Sequence, residues 1–307
     1  MFLVMGEALV DVISGGVEAP TSHVGGSPLN VAVGLARLDC PVTFVTRYGR
    51  DAHGDMIHET LRSNGVAELL EPDQKPTTTA IGILDPAGAA EYEFDGFDWS
   101  LDGFVGERAA RAIQDATAVH MGSLGAALDP GAETVLRAVE QARPHATISF
   151  DPNVRPRLTP DRDAARARVE AFVALSDVVR ASDSDLDWLY PDRTPFETAR
   201  AWLANGPSLV LVTTGSGGSD AFARELNVHV DAVQTEVEDT VGAGDSYMAA
   251  LLVALQERGY AGASGRAALR GITAEHLREV LTFAVRAAAI TVSRAGANPP
   301  TRAELTA

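Results

Sequence analysis

The chain has 307 residues, 46% hydrophobic and 22% charged, enough to bury a full core in one large domain with a small appendage and too apolar for a disordered chain. Its formal net charge of −17 argues against nucleic acid and membrane surfaces as partners, although backbone N–H groups can still bind a small anion locally. The single cysteine, Cys40, excludes an intramolecular disulfide and a cysteine-based metal site, favours a reducing compartment, and makes the cytoplasm the expected location.

Met1–Val12 is apolar, but it lacks a basic flank and is broken by Glu7 and Asp11, so it reads as a first strand and not a signal peptide. Further strands are predicted at Val42–Thr46, Ala118–Met121, Thr147–Phe150, Asp177–Arg180 and Leu209–Thr213. Helices are predicted at Pro28–Leu38, Asp55–Ser63, Thr134–Ala142, Ala164–Leu175 and Pro195–Ala204. This alternation predicts an α/β fold, a doubly wound and mostly parallel sheet with ligands beyond the strand carboxyl ends. Thr77–Leu84 and Ala90–Phe94 break the alternation around the turn Asp85-Pro86-Ala87-Gly88, which is a hairpin signal. With the extended segment Val10–Val24 the hairpin could form a separate small sheet over a ligand, or it could be an edge hairpin of the main sheet. Ala261–Gly271 reads as a short Ala/Gly-rich connection, and Leu281–Val292 is too short to span a bilayer and contains Arg286. No segment is expected to cross a membrane.

Lys75 is the only lysine, and it lies in Asp-Gln-Lys-Pro-Thr, so neither a Walker A loop nor a protein-kinase site can be built. The most informative run is Asp239-Thr240-Val241-Gly242-Ala243-Gly244-Asp245, followed by a strongly helix-forming segment. Two glycines one residue apart let the backbone turn tightly into a helix, whose first amides and dipole favour an anion. Asp245 falls in that first turn. Alone it could be a favourable helix-end charge; beside a phosphate it makes sense as a base that takes a proton from an attacking hydroxyl. A dinucleotide fingerprint fails, because its third glycine would fall at Tyr247.

This run resembles the Asp-Thr-x-Gly-Ala-Gly-Asp signature of the ribokinase-like (PfkB) sugar kinases. The resemblance implies Asp245 as catalytic base, the amides of Gly242, Ala243 and Gly244 as an anion hole, and the backbone at Asp239 and Val241 as part of a monovalent-cation site, with potassium as the expected ion. Gly25-Gly26-Ser27-Pro28-Leu29-Asn30 reads by itself as a helix start with Ser27 as cap and Pro28 in the first turn. It is also similar to the family's amino-terminal signature, which implies sugar contacts from Gly25, Gly26 and Asn30. Asp11 is a charge in an apolar strand and must face solvent or a polar ligand. The family holds two sugar hydroxyls with an aspartate there, and a carboxylate acceptor suits a polyol. The turn Gly49-Arg50-Asp51-Ala52-His53-Gly54 looks structural.

Asp151-Pro152-Asn153-Val154-Arg155-Pro156 is either a structural turn or a ligand edge after the strand Thr147–Phe150. It resembles fructokinases and 2-keto-3-deoxygluconate kinases, which implies substrate contacts from Asn153 and Arg155. Thr213-Thr214-Gly215-Ser216-Gly217-Gly218 is a Gly/Ser turn that resembles the family's nucleotide loop, giving Thr213, Gly215 and Gly218. Asn298, near the end, resembles the adenine-side element. Ser182-Asp183-Ser184-Asp185 resembles the Asn-x-x-Glu magnesium element, with a shorter carboxylate at Asp185 that implies contact with Mg²⁺ through water.

The resemblance spans essentially the whole chain and implies one ribokinase-like domain, residues 1–307, with a small β lid at about residues 12–24 and 77–98. It implies a kinase using ATP and Mg²⁺ on a sugar CH₂OH, with fructose to fructose 6-phosphate expected first. A 2-keto-3-deoxygluconate kinase or another sugar or nucleoside kinase is the alternative, and a catalytically silent sugar-binding regulator is a further one. The expected partners are the sugar and ATP, and a homodimer through the lid.

Overall fold

The computed structural model describes residues 1–14, 21–84, 90–95 and 98–306. Its first strand, β1 (Phe2–Met5), is buried throughout, with Phe2 and Val4 in one apolar cluster and Leu3 and Met5 in the other. Side chains of a strand alternate between faces, so a run that is apolar at every position needs cover on both. Helices supply that cover. Ser27–Arg37, Ala243–Glu257 and Ala274–Val292 pack on the first face, and Gly131–Ala142, Arg162–Leu175 and Pro195–Leu203 on the second.

The remaining strands are β2 (Leu9–Ser14), β3 (Thr21–Gly25), β4 (Val42–Val45), β5 (Ala67–Glu68), β6 (Thr79–Leu84), β7 (Ala90–Asp95), β8 (Ala118–Gly122), β9 (Thr147–Asp151), β10 (Val178–Ser182), β11 (Leu209–Thr213), β12 (Ser219–Ala223) and β13 (Leu226–Val230). Among the described residues the central sheet runs β13-β12-β11-β10-β9-β8-β1-β4-β5. It is parallel from β11 to β5, and an antiparallel pair, β12 and β13, finishes one edge. The carboxyl ends of β8, β9, β10 and β11 therefore share one edge, where Asp151, Ser182 and Thr213 emerge side by side.

The second sheet has the order β3-β2-β6-β7, with β2 and β6 parallel and the outer pairs antiparallel. It is separate from the central sheet, so the hairpin is not an edge of the main sheet. The turn expected at residues 85–88 lies outside the described residues.

Three sequence expectations fail. Met1–Val12 is not one strand: β1 ends at Met5 and β2 begins at Leu9, in different sheets. Ala261–Gly271 is not a bare connection, because Gly262–Leu269 is a helix that buries Leu269. Ala-rich sequence favours helix, and Gly265 fits because a Cβ there would lie 2.5 Å from the Tyr260 backbone. Ser27 is not a helix cap either: Gly26 takes that position, with a φ of 113°, and Ser27 begins the helix with its hydroxyl free to act elsewhere. The β12–β13 pair had no place in the sequence reading, since it follows a glycine loop and is only half-buried along β13. No helix among the described residues is long and apolar enough to cross a membrane.

Candidate active site

The helix Ala243–Glu257 is buried at every residue from Asp245 to Leu255, while Gly242, Ala243 and Gly244 at its mouth are half-buried. Gly242, its cap, has a left-handed φ of 74°, and a Cβ there would lie 2.7 Å from the Ala297 Cβ. A Cβ on Gly244 would meet the Arg180 guanidinium at 2.7 Å. Glycine is thus required twice, once for backbone conformation and once for space. The Ala243 amide reaches back to the Thr240 carbonyl at 3.3 Å.

Asp245 is 8% exposed, and its two oxygens accept from the Ser27 hydroxyl at 2.6 Å and the Asn30 amide at 2.8 Å. The pairing follows from helix packing. A Cβ on Gly34 would sit 2.7 Å from the Ala249 Cβ, so the two helices touch there, and one turn earlier on each lie Asn30 and Asp245. Burial raises the Asp245 pKa above the ordinary carboxylate range, opposed by the bonds from Ser27 and Asn30 and by the charges of Arg180 and Arg155.

Arg180 is the residue that the sequence reading missed. It rises from β10, is 8% exposed, and bonds Asp151 at 2.8 Å and the Thr213 hydroxyl at 2.5 Å, while its buried Nε has no partner among the described residues. Burial works against the charge, but Asp151, Asp185 and Asp245 outweigh it and raise its pKa. Burial pushes Asp151 up to about 6 against the pull of Arg180, its ion-pair partner. The signal was available: Arg180 is a charge near the carboxyl end of an apolar strand, the same pattern that singled out Asp11.

At the opposite wall, the carboxylate of Asp11 on β2 lies over Gly25, where a Cβ would come within 2.5 Å of it. Its pKa is raised by burial, against the charges of His23 and Arg155. A Cβ on Gly26 would lie 2.5 Å from the Glu7 carbonyl oxygen. Asn153 has a φ of 36°, its amide donates to Asp151 at 3.1 Å, and its side-chain oxygen accepts from Arg155 at 2.6 Å. Arg155 is exposed, yet its charge acts on Glu7, Asp11 and Asp245.

The nucleotide and metal residues stand differently. Gly215 (φ 55°) and Gly218 (φ 94°) close a tight loop, and a Cβ on Gly218 would strike the Val230 carbonyl at 2.2 Å. Asn298 gives its side-chain oxygen to Arg37 at 2.5 Å. Asp239 accepts from the amides of Val241 and Gly296, each at 2.9 Å, which ties the two loops together. Asp185 is buried in a capping box with Ser182 and also accepts from the Val154 amide at 2.7 Å. Its carboxylate therefore anchors the loop that carries Asn153 and Arg155. Among the described residues, no three His, Cys, Asp or Glu side chains converge as a metal site.

The chemistry on this edge is a buried carboxylate beside a helix N-terminus and a buried guanidinium, with space where glycines replace side chains. That donor set fits a phosphate group with a hydroxyl acceptor next to it. Relatives agree. The chain is 32% identical over 268 residues to a fructokinase of Rhizobium leguminosarum bv. trifolii, covering 83% of this chain and 80% of the relative. It is 32% identical to probable fructokinase-4 of Arabidopsis thaliana, covering 98% and 90%. The structure superposes on Xylella fastidiosa fructokinase with bound ATP at a TM-score of 0.87 and 26% identity, covering 99% and 96% of the two chains. It superposes on a double-mutant Vibrio cholerae O395 fructokinase in a fructose-, ADP- and potassium-bound form at a TM-score of 0.79 and 25% identity, covering 99% and 96%. The model of the pfkB family of carbohydrate kinases matches residues 3–304, and the chain belongs to that family.

Proposed function

We propose that this protein transfers the γ-phosphoryl group of ATP to the 6-hydroxyl of fructose. The observation that carries this reading is the placement of one buried carboxylate, Asp245, in the first turn of a helix whose mouth is flanked by Arg180. Asp245 takes the hydroxyl proton as the sugar oxygen attacks phosphorus, and the bonds from Ser27 and Asn30 aim the carboxylate. The amides of Gly242, Ala243 and Gly244 and the guanidinium of Arg180 stabilise the charge on the transferring group. Asp11 accepts from sugar hydroxyls, beside the backbone of Gly25 and Gly26. Asn30 serves the sugar through Asp245, while Asn153 and Arg155 close the far wall.

Thr213, Gly215, Gly218 and Asn298 line the nucleotide end. When bound with ATP, magnesium would neutralise charge on the phosphate oxygens. Asp185 would meet it through water, because its own oxygens already hold Ser182 and Val154. The backbone at Asp239 and Val241 would hold potassium. The chain works as one domain in the cytoplasm, and the small sheet β3-β2-β6-β7 is a lid that excludes water from the reaction and pairs with a second copy; the rest of the lid expected at about residues 12–24 and 77–98 includes positions outside the described residues.

A coupled assay over a sugar panel tests the reading. Fructose should give the highest kcat/KM. A preference for 2-keto-3-deoxygluconate of about 100-fold, roughly 2.7 kcal/mol at the transition state, would overturn it and make Arg155 the ligand of the sugar-acid carboxylate. Sugar binding with no turnover of any panel member would instead identify a regulator.

A further inference from the structure

Glu7 lies between β1 and β2 and is 4% exposed, although nothing in the phosphoryl transfer uses it. Its carboxylate accepts from the Gly125 amide at 2.8 Å and from the Ser123 side chain. Those donors belong to the five-residue helix Ser123–Ala127 at the carboxyl end of β8. Ser123 has a left-handed φ of 50°, a conformation that non-glycine residues adopt at a cost and that needs outside support. The helix is buried from Ser123 to Ala126, and beside it lies a cavity of about 270 Å³ bounded by Leu124, Ala127, Asn153 and Arg155 among others. It is also held by polar and backbone contacts. Trp99 donates to the Gly125 carbonyl at 3.0 Å, and a Cβ on Gly125 would come within 2.6 Å of the Gly6 Cα.

The backbone of Glu7 faces the other way, against Gly26 of the sugar-side glycine pair. One residue thus joins the Gly25–Gly26 turn to the short helix, whose Leu124 and Ala127 share a cavity with the sugar-side residues Asn153 and Arg155. We propose that Glu7 is a positioning residue for the sugar site, its ionised carboxylate holding the Ser123–Ala127 helix in register with the Gly25–Gly26 turn. This rests on the sugar-kinase reading above. A protonated Glu7 accepts more weakly from both donors, and its hold on the short helix loosens. Burial pushes the Glu7 carboxyl up to about 7, with its own amide, Gly125, Ser123 and Arg155 pulling it down, so the hold weakens within the neutral range. The short helix contains no titratable side chain, and neither does the first turn of Ser27–Arg37. Arg155 is the charged group acting on Glu7 from the facing loop, with Asp11 and Asp245 in the same pocket.

The test is Glu7→Gln, which keeps the shape and removes the titration. Its KM for fructose should rise roughly fivefold, the worth of about one net hydrogen bond, while kcat and the KM for ATP stay within about twofold. In wild type the fructose KM should rise as pH falls from 8 to 6, and Glu7→Gln should flatten that profile. Ser123→Ala, which removes one donor, should show part of the same rise. Calorimetry with fructose and the ATP-bound enzyme gives the same comparison without turnover. An unchanged fructose KM, or a pH profile identical to wild type, overturns the proposal, as does an equal loss in the ATP parameters. If wild type does not phosphorylate fructose, the substrate reading fails, and the same comparison is made with the sugar that the panel identifies.

Discussion

Carboxylates around the candidate site have their proton affinity raised by burial, as at Glu7, Asp11, Asp151 and Asp245. In the turn region around residues 47–77 the direction reverses. Arg47 lowers the Asp73 pKa through a bidentate ion pair; at Asp51 burial alone would raise it, but the amides of Thr77 and Gly54 prevail. The second group are acceptors placed where the backbone offers donors, and they stabilise the fold. The first group are kept in a dry place with too few donors to offset desolvation, which costs stability and concentrates at sites of chemistry. The turn Gly49–Gly54, structural from its sequence, is organised by Asp51, which accepts from the Gly54 amide and the Thr77 hydroxyl.

The largest expected effect is at Asp245. Asp245→Asn should lower turnover by about 10²- to 10⁴-fold with sugar affinity nearly intact, because the amide keeps the shape but cannot take the proton. Activity within about tenfold of wild type would move Asp245 into the structural group. Arg180→Met comes next. It removes the cation that pulls the Asp151 pKa down against burial, so Asp151 is left buried and unpaired and takes up a proton near neutral pH; urea denaturation should show a loss of up to about 3–5 kcal/mol, and Asp151→Asn in the same chain should recover much of it. A loss below about 1 kcal/mol would mean that the pair contributes little and that water reaches Asp151.

Asp11→Ala should weaken fructose binding by about 1.5–3 kcal/mol, the range for a hydrogen bond to a charged group, and leave the ATP affinity alone. Unchanged sugar affinity by calorimetry would make Asp11 structural. Asp51→Ala should cost about 1–2 kcal/mol of stability by uncapping the helix Ala52–Ser63, with kcat unaltered. A fall in kcat larger than the fall in folded fraction would break the division between the two regions.

The smallest effect is the pH slope of stability. Glu7 holds its proton in the folded state up to about 7, against an ordinary value near 4.5, so its contribution is fully present below 4.5 and is lost as pH rises through 7. Asp51 acts oppositely: its folded pKa is lowered, so its contribution is present above the ordinary value of 3.8 and is lost as pH falls through the folded one. Thermal melts of Glu7→Gln between pH 5 and 8 should decline less than wild type, and Asp51→Ala should flatten only the acid limb. The same slope in all three proteins would remove the basis of the comparison.

The sequence by itself determined the fold class and the glycine-rich ends of the site. Unbroken apolar strands such as Phe2–Met5 require cover on two faces, and the glycines at 242 and 244 before a helix-forming run announce a helix mouth. Local rules are enough for those, because periodicity and backbone freedom are properties of a short stretch of chain. The tertiary structure decided the partners. Ser27, a cap by local rules, donates to Asp245 across 218 positions, Asn30 does so across 215, and Glu7 reaches Gly125 across 118. Arg180, a lone charge in a strand, acquires meaning only when β9 and β11 set Asp151 and Thr213 on either side of it and Gly244 leaves room above. Desolvation and hydrogen bonding depend on what surrounds a group in space, and sequence distance carries no record of that.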